Sequence, residues 1–340
     1  MSLEPLLTHG MLGFSDPMLR VYDKIEQVGP TSATVLIQGE TGTGKELVAE
    51  AIYKLGKASG REGNYVKINC AAIPKDIAES VLFGHSRGAF TGAHEDRTGL
   101  LLLAHNGMIL LDEIEAMSPY LQPKLLRALE EKEVRHVGGS KTYPLDVRVI
   151  ASTNEDLWYA AQEGKFRKDL FYRLNIFTIN LPPLRDRKED IPLLTKYFFK
   201  KYCDTYKAES LELNTDALQA LSSYPWPGNV RELEATIQRA VLSRRDKPGL
   251  ITGAGIEFTQ NNTTAQVPIN SKIATLLEEY LRKGVDAGEV LDVFLHGTSH
   301  QIDDNVIRTR IEVYSGNKSA SAKSLGLSLR KVRQVSNQRS

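Results

Sequence analysis

The sequence predicts an α/β domain built on a parallel sheet, followed by a small helical domain and a final, all-α unit. Three observations carry that prediction. Short apolar, β-branched runs alternate with longer amphipathic segments through the first half, the pattern of parallel strands joined by crossover helices. Beyond residue 188 the apolar residues recur at three- and four-residue spacing, the period of helices. A polar, Gly/Asn/Thr-rich stretch at 251–271 then has the composition of a linker. The expected organisation is a leader at 1–13, the α/β domain at 14–188, the helical domain at 189–250, the linker at 251–271 and the last helical unit at 272–340.

Composition sets few limits beyond these. The chain has 340 residues, 41% apolar and 25% charged, with a net charge of +1 that conceals a basic C-terminal end. Its two cysteines, Cys70 and Cys203, lack zinc or redox spacing and read as buried thiols of a reducing compartment. No apolar run reaches the length of a membrane span, and "MSLEPLLTHG" is no signal peptide, so a cytoplasmic protein without a membrane partner is expected. The stretch before Phe14 is too short for a receiver or ligand-sensing domain.

Taken in order, "ATVLIQ" (33–38) is the first predicted strand. It runs into G-x-x-x-x-G-K (Gly39, Glu40, Thr41, Gly42, Thr43, Gly44, Lys45), and a helix with apolar Leu47, Val48, Ala51, Ile52 and Leu55 follows. That strand–loop–helix context is what a phosphate-binding P-loop requires. Glycines turn backbone N–H groups inward, the helix N-terminus adds positive potential, and Lys45 reaches the β- and γ-phosphates. Glu46 stands where Ser or Thr is usual, so the customary hydroxyl ligand for magnesium is missing. "YVKIN" (65–69) is the second strand and "MILLD" (108–112) the third, ending in Asp112-Glu113. An acid at a strand's C-terminal end beside a P-loop suits Mg²⁺, and a second acid orients the attacking water; Asp112 takes the first role and Glu113 the second. "VRVIAS" (147–152) is the fourth strand, and beyond it Thr153-Asn154 is placed to sense the γ-phosphate. Together these predict an ATPase of the AAA+ kind, with ATP and Mg as ligands.

"KFRKDLFYRL" offers Arg167 and Arg173, either as fingers supplied in trans, worth about 10³–10⁵ in rate, or as surface arginines pairing with Asp169. "IPLLTKYFFKKYC", "NTDALQALSSY" and "NVRELEATIQRAVL" are the helices of the second domain. In "YPWPGNVREL" Asn229 is the expected N-cap, and Arg231 either folds over the nucleotide or pairs with Glu234. The last 26 residues carry Lys318, Lys323, Arg330, Lys331, Arg333 and Arg339 without an acid. A helix start at Asn317, a Leu-Gly-Leu break and a new cap at Ser328 read as helix-turn-helix, the second helix entering the major groove; the alternative is a basic solvated helix.

One stretch fits neither strand nor helix: GAFTGA (Gly88, Ala89, Phe90, Thr91, Gly92, Ala93), an aromatic and a hydroxyl between glycine hinges. By composition alone it is an ordinary surface loop. With "GETGTGKE", "NCAAIP", "LFGHSRGAFTGA", "LLDEIEAM", "FRKDLFYRL", "LPPLRDRKEDI" and "WPGNVREL" in this order, however, the chain from about Phe14 to Leu242 resembles the sigma-54-dependent bacterial enhancer-binding proteins. That family's own P-loop carries Glu after the Lys, as Glu46 does here. The resemblance implies that GAFTGA tips a loop contacting sigma-54, with Phe90 and Thr91 as contacts and Gly88 and Gly92 as hinges. It implies that Asn69 restrains Glu113, that Arg167 and Arg173 are trans fingers and that Arg231 is a lid sensor. It also implies a homo-oligomeric ring, commonly a hexamer, acting on the sigma-54 RNA polymerase holoenzyme from enhancer DNA. The C-terminus is similar to the factor-for-inversion-stimulation type motif, departing from it at Ser324. Two other readings stand beside this one: a AAA+ unfoldase or DNA motor, against which GAFTGA argues, and a DNA-binding repressor with a merely structural ATPase fold.

Overall fold

The computed structural model describes residues 7–208, 210–245 and 249–258. Five parallel strands form its central sheet: β1 (Val35–Gln38), β2 (Tyr65–Asn69), β3 (Met108–Asp112), β4 (Arg148–Thr153) and β5 (Phe177–Asn180), in the order β5-β1-β4-β3-β2. The register aligns Ala151 with both Leu36 and Leu111, and Asn69 with Asp112. All six residues of β4 are buried, as expected of the central strand in a sheet covered on both sides.

Strand alternation divides the core into two layers. Leu36, Ile109, Leu111, Val149 and Ala151 pack on one face with Leu125, Leu129, Leu170 and Leu174. Those partners come from α5 (Gln122–Glu131) and α7 (Lys168–Leu174). Val35, Ile37, Leu110, Ile150 and Ile179 pack on the other face with Ile25, Val48 and Ile52. These belong to α1 (Asp16–Val28) and α2 (Lys45–Ala58). Each layer buries ten or more apolar side chains, at roughly 1.5–3 kcal/mol apiece. The shorter helices α3 (Lys75–Phe83), α4 (Leu100–Leu103) and α6 (Leu157–Gln162) complete this half.

The second half holds α8 (Ile191–Tyr206), α9 (Thr215–Ser223) and α10 (Asn229–Leu242). Fully buried Trp226 fixes the turn before α10, its indole N–H donating to Leu221 O at 2.8 Å. Leu211–Leu213 pairs in parallel with Gly249–Ile251.

Three features differ from the sequence reading. Phe177–Asn180 is a fifth sheet strand, to which the sequence reading assigned no element; its four residues are too short for alternation to reveal. Residues 251–257, read as the start of a linker, hold buried Ile251 and Ile256 and stay with the helical half. Met11 and Leu12, read as leader, form a buried strand paired with Leu7–Thr8. The expectations at 259–340, including the helix-turn-helix with Lys318, Arg330, Lys331 and Arg333, lie outside the described residues. Among the described residues no helix is long and apolar enough to cross a membrane.

Candidate functional site

The carboxyl ends of β1, β3 and β5 lead into one cleft of about 540 Å³, lined there by Thr41, Asp112 and Leu181. Its floor is the loop between β1 and α2. Gly44 stands at the N-terminus of α2 with no side-chain cap, so the positive end of the helix faces the loop. Lys45 Nζ folds back onto the loop's own carbonyls, 2.7 Å from Gly39 O and 3.2 Å from Glu40 O. Burial pushes the Lys45 ammonium below its ordinary value, opposed by the carboxylates of Asp112, Glu115 and Glu113. Residues Thr41 to Glu46 line the cleft together with Asp112 and Glu113.

The acids are placed by the strand ends. Ser152 Oγ, on β4, donates to Asp112 Oδ1. Glu113 follows with φ +52, a left-handed conformation that a non-glycine residue holds only where its surroundings demand it. Asn154 N donates to Glu115 Oε1 at 3.3 Å, and Asn154 Nδ2 reaches Thr41 Oγ1 at 3.4 Å, so the end of β4 is tied to the P-loop. Thr43 Oγ1 is engaged by Glu40 O at 2.7 Å, and Glu46 pairs with Lys67 at 2.8 Å. Among the described residues no group of three or more His, Cys, Asp or Glu is gathered to hold a metal alone. Asp112 by itself fits a magnesium ion that arrives with a nucleotide, since that ion keeps several waters and needs few protein ligands beside phosphate oxygens.

Other predicted residues lie differently. The Asn69 side-chain oxygen accepts from Ala71 N at 2.8 Å and Ala72 N at 3.1 Å, and no Asn69–Glu113 hydrogen bond occurs among the described residues. Arg167 and Arg173 are outside the cleft. Arg167 grips Asp169 through two bonds, at 3.0 and 2.7 Å, the surface pairing weighed from sequence; Arg173 donates to Leu129 O at 2.8 Å. Arg231 lines the cleft. Its sequence alternative, a pair with Glu234, is not formed among the described residues: Glu234 Oε1 instead receives Lys201 Nζ at 2.8 Å and Tyr202 Oη at 2.9 Å. Asn229 is not the cap of α10. It is fully buried at φ +54, accepts Leu184 N at 2.8 Å, and donates to Glu40 Oε2 at 3.1 Å and Thr41 O at 3.0 Å.

GAFTGA lies between α3 and α4 as a turn closed by Gly88 N to Ala93 O at 2.8 Å. Gly88 and Gly92 have φ of +82 and +102. Phe90 is 45% exposed and meets His85 edge-on at 5.0 Å. Thr91 is exposed, whereas Ala93 is buried, which removes its side chain from any partner surface. Beneath the loop, the hairpin of Glu133–Arg135 and Thr142–Pro144 presents Val137, which exchanges backbone bonds with Gly84 and Ser86 at 2.9 and 3.0 Å.

Sequence reasoning gave no role to three residues just before the second half. Arg185 binds Glu40 through two bonds of 2.9 and 2.6 Å. Buried Arg187 donates to Thr43 O at 3.0 Å, and fully buried Asp190 accepts Phe14 N, Ser15 N and Ser15 Oγ. Their signal was the dense alternation of charges in "LRDRKED" between a strand and a helix. Met11 and Leu12 also line the cleft.

Comparison with known proteins accounts for both halves. The family model of the sigma-54 interaction domain matches residues 11–180, and that of the AAA+ ATPase lid domain matches 185–268. The chain is 52% identical over 231 residues to the DNA-binding transcriptional activator HyfR of Escherichia coli (strain K12), covering 68% of this chain and 34% of that protein. Over 259 residues it is 45% identical to the transcriptional regulatory protein ZraR of Klebsiella oxytoca, covering 74% and 58%. It therefore spans less than two thirds of either relative. The structure of NtrX from Brucella abortus in complex with ATP matches with TM-score 0.67 at 30% identity, covering 97% of this chain and 69% of NtrX. The NtrX complex with ADP gives 0.69 at 31%, covering 96% and 70%.

Proposed function

The chain belongs to the sigma-54 interaction family of AAA+ proteins, and from that premise we propose that it is an ATP-hydrolysing transcriptional activator. It contacts sigma-54 through GAFTGA and remodels the sigma-54 RNA polymerase closed complex. One observation carries the ATPase half: Lys45, Asp112, Glu113 and Arg231 line a single cleft at an uncapped helix N-terminus. The residues from Gly39 to Glu46 wrap the phosphates, with Lys45 leaving the carbonyls of Gly39 and Glu40 for the β- and γ-oxygens. Asp112 would hold a magnesium ion arriving with the nucleotide, and that ion would supply neutralising charge for the transferred group. Glu113 orients and deprotonates the attacking water, and Asn154, tied to Thr41, reads the γ-phosphate.

Asn69, across from Asp112 in the sheet, restrains Glu113 until the partner is engaged. Arg167 and Arg173 act on the neighbouring subunit's nucleotide, so the working form is a homo-oligomeric ring, a hexamer in this reading. Phe90 and Thr91, exposed at the loop tip, make the sigma-54 contact while Gly88 and Gly92 let it move. Lys318, Arg330, Lys331 and Arg333 bind enhancer DNA in a helix-turn-helix.

The test is co-elution with purified sigma-54, with and without ADP plus aluminium fluoride, a mimic of the hydrolysis transition state. A complex formed only with the mimic, and lost in Thr91→Ala, supports the activator reading. No complex under either condition, with ATP turnover intact, overturns it.

A further inference from the structure

The N-terminus of α10 is capped by the P-loop. A helix leaves its first N–H groups without partners, and a side chain of its own commonly takes one of them. In α10 no side chain does so. Instead Val230 N and Arg231 N both donate to Gly42 O, at 3.0 and 3.3 Å. The approach is close enough that a Cβ on Gly42 would stand 2.3 Å from Gly228 O. The loop that receives phosphates and the helix that carries Arg231 thus share a backbone junction.

That junction is flanked by a polar clamp centred on Glu40. Arg185 binds both carboxylate oxygens of Glu40, and Asn229 donates to Oε2. Asn229 also holds Thr41 O and receives Leu184 N, linking the P-loop, the turn after β5 and α10 in one buried node. Asn229 sits in the left-handed region, which asparagine tolerates better than most residues with a side chain, and these bonds fix its amide there. The main chain of Glu40 belongs to the same network, since its carbonyl accepts Lys45 Nζ and Thr43 Oγ1. Arg185 and Asn229 hold the Glu40 carboxyl below the usual range, so it is ionised at neutral pH.

We propose that Glu40 is a positioning residue: by gripping Arg185 and Asn229 it docks α10 on the Gly42 carbonyl and so sets Arg231 in the nucleotide cleft. The inference rests on the ATP-binding reading of that cleft. A nucleotide that draws Lys45 from the Glu40 carbonyl acts on the residue that holds the lid, which gives nucleotide state a direct mechanical route to α10.

The experiment compares Glu40→Gln and Arg185→Met with the parent and with Glu131→Gln, a control that breaks a surface pair with Arg127 elsewhere. Thermal midpoints first establish that each variant is folded. Hydrogen exchange of the peptide covering 228–233 is then measured without nucleotide. Both clamp variants are expected to exchange about three- to five-fold faster, the size a half-exposed bidentate pair provides, and the control to match the parent. Titration with a fluorescent ATP analogue follows, in backgrounds with and without Arg231→Ala. Glu40→Gln should weaken binding with Arg231 present and add nothing once Arg231 is gone. Unchanged exchange overturns the inference, as does an equal loss of affinity in both backgrounds. A parent that binds no analogue instead overturns the ATP reading, and the exchange comparison still decides whether Glu40 docks α10.

Discussion

Lys45 rests on two carbonyls of its own loop, and that arrangement predicts what its removal does. Lys45→Ala takes away both the resting contacts and the phosphate ligand, so binding of a fluorescent ATP analogue should be lost while the fold survives. Glu113→Gln should retain binding and reduce turnover by about 10²–10⁴, the usual contribution of a positioned base; single-turnover hydrolysis is the measurement. Cys70 gives an independent check on the environment of these acids. Burial pushes its thiol up to about 12, with Glu115, Asp112 and Glu113 adding to the rise. Iodoacetamide at pH 8 should therefore spare Cys70 in the folded protein and modify it after denaturation; native labelling at the rate of free cysteine would contradict the placement. At this scale the sequence was informative where a residue hangs from a strand end. Lys45, Asp112 and Glu113 could be placed at one cleft because spacing after an apolar run fixes position in a parallel sheet. The polar groups of Glu40, Arg185 and Asn229 could not, since their bonds join segments up to 189 positions apart.

The GAFTGA turn shows the same division between local and distant causes at the scale of an element. Its openness was legible from composition, because two glycines and no sizeable apolar pair leave little to anchor it. The positive φ at Gly88 and Gly92 is the physical content of that expectation. A Cβ added to either glycine would meet no atom within 4 Å, so the penalty for Gly88→Ala or Gly92→Ala is one of backbone conformation, roughly 1–2 kcal/mol. Each substitution should reduce capture of sigma-54 in the transition-state-mimic complex while the thermal midpoint falls by only a few degrees, the size of that local penalty, because the turn touches little of the core. A large fall in the midpoint would mean that the loop is part of the core and not a mobile contact. The supporting hairpin was not legible. Strands of three residues, Glu133–Arg135 and Thr142–Pro144, are too short for a period of two to register, and their packing on Gly84 and Ser86 depends on contacts some fifty positions away. The fifth sheet strand escaped for the same reason, its four residues running almost directly into Pro182-Pro183.

For the whole molecule the telling residue is Arg167. Its guanidinium is paired with Asp169 outside the cleft, so among the described residues nothing brings it to the chain's own cleft. A residue with that placement completes a site only if a second copy presents its cleft to it. A heterologous contact of this kind closes into a ring when its rotation permits. That dependence yields a prediction no single-chain mechanism shares. If Arg167 is the proposed trans finger, Lys45→Ala subunits have no working nucleotide site but keep the finger, and Arg167→Ala subunits keep the site but lack the finger. Either variant alone should hydrolyse ATP very slowly. Mixed in equal amounts and allowed to exchange, they create interfaces in which an intact site meets an intact finger, at about one interface in four if subunits assort at random. Steady-state turnover should then rise to about a quarter of the parent's, and it should fall again on dilution below the concentration at which rings form, monitored by light scattering. If the mixture stays as slow as its components while light scattering shows mixed rings, Arg167 does not act in trans and its pairing with Asp169 is the whole of its role.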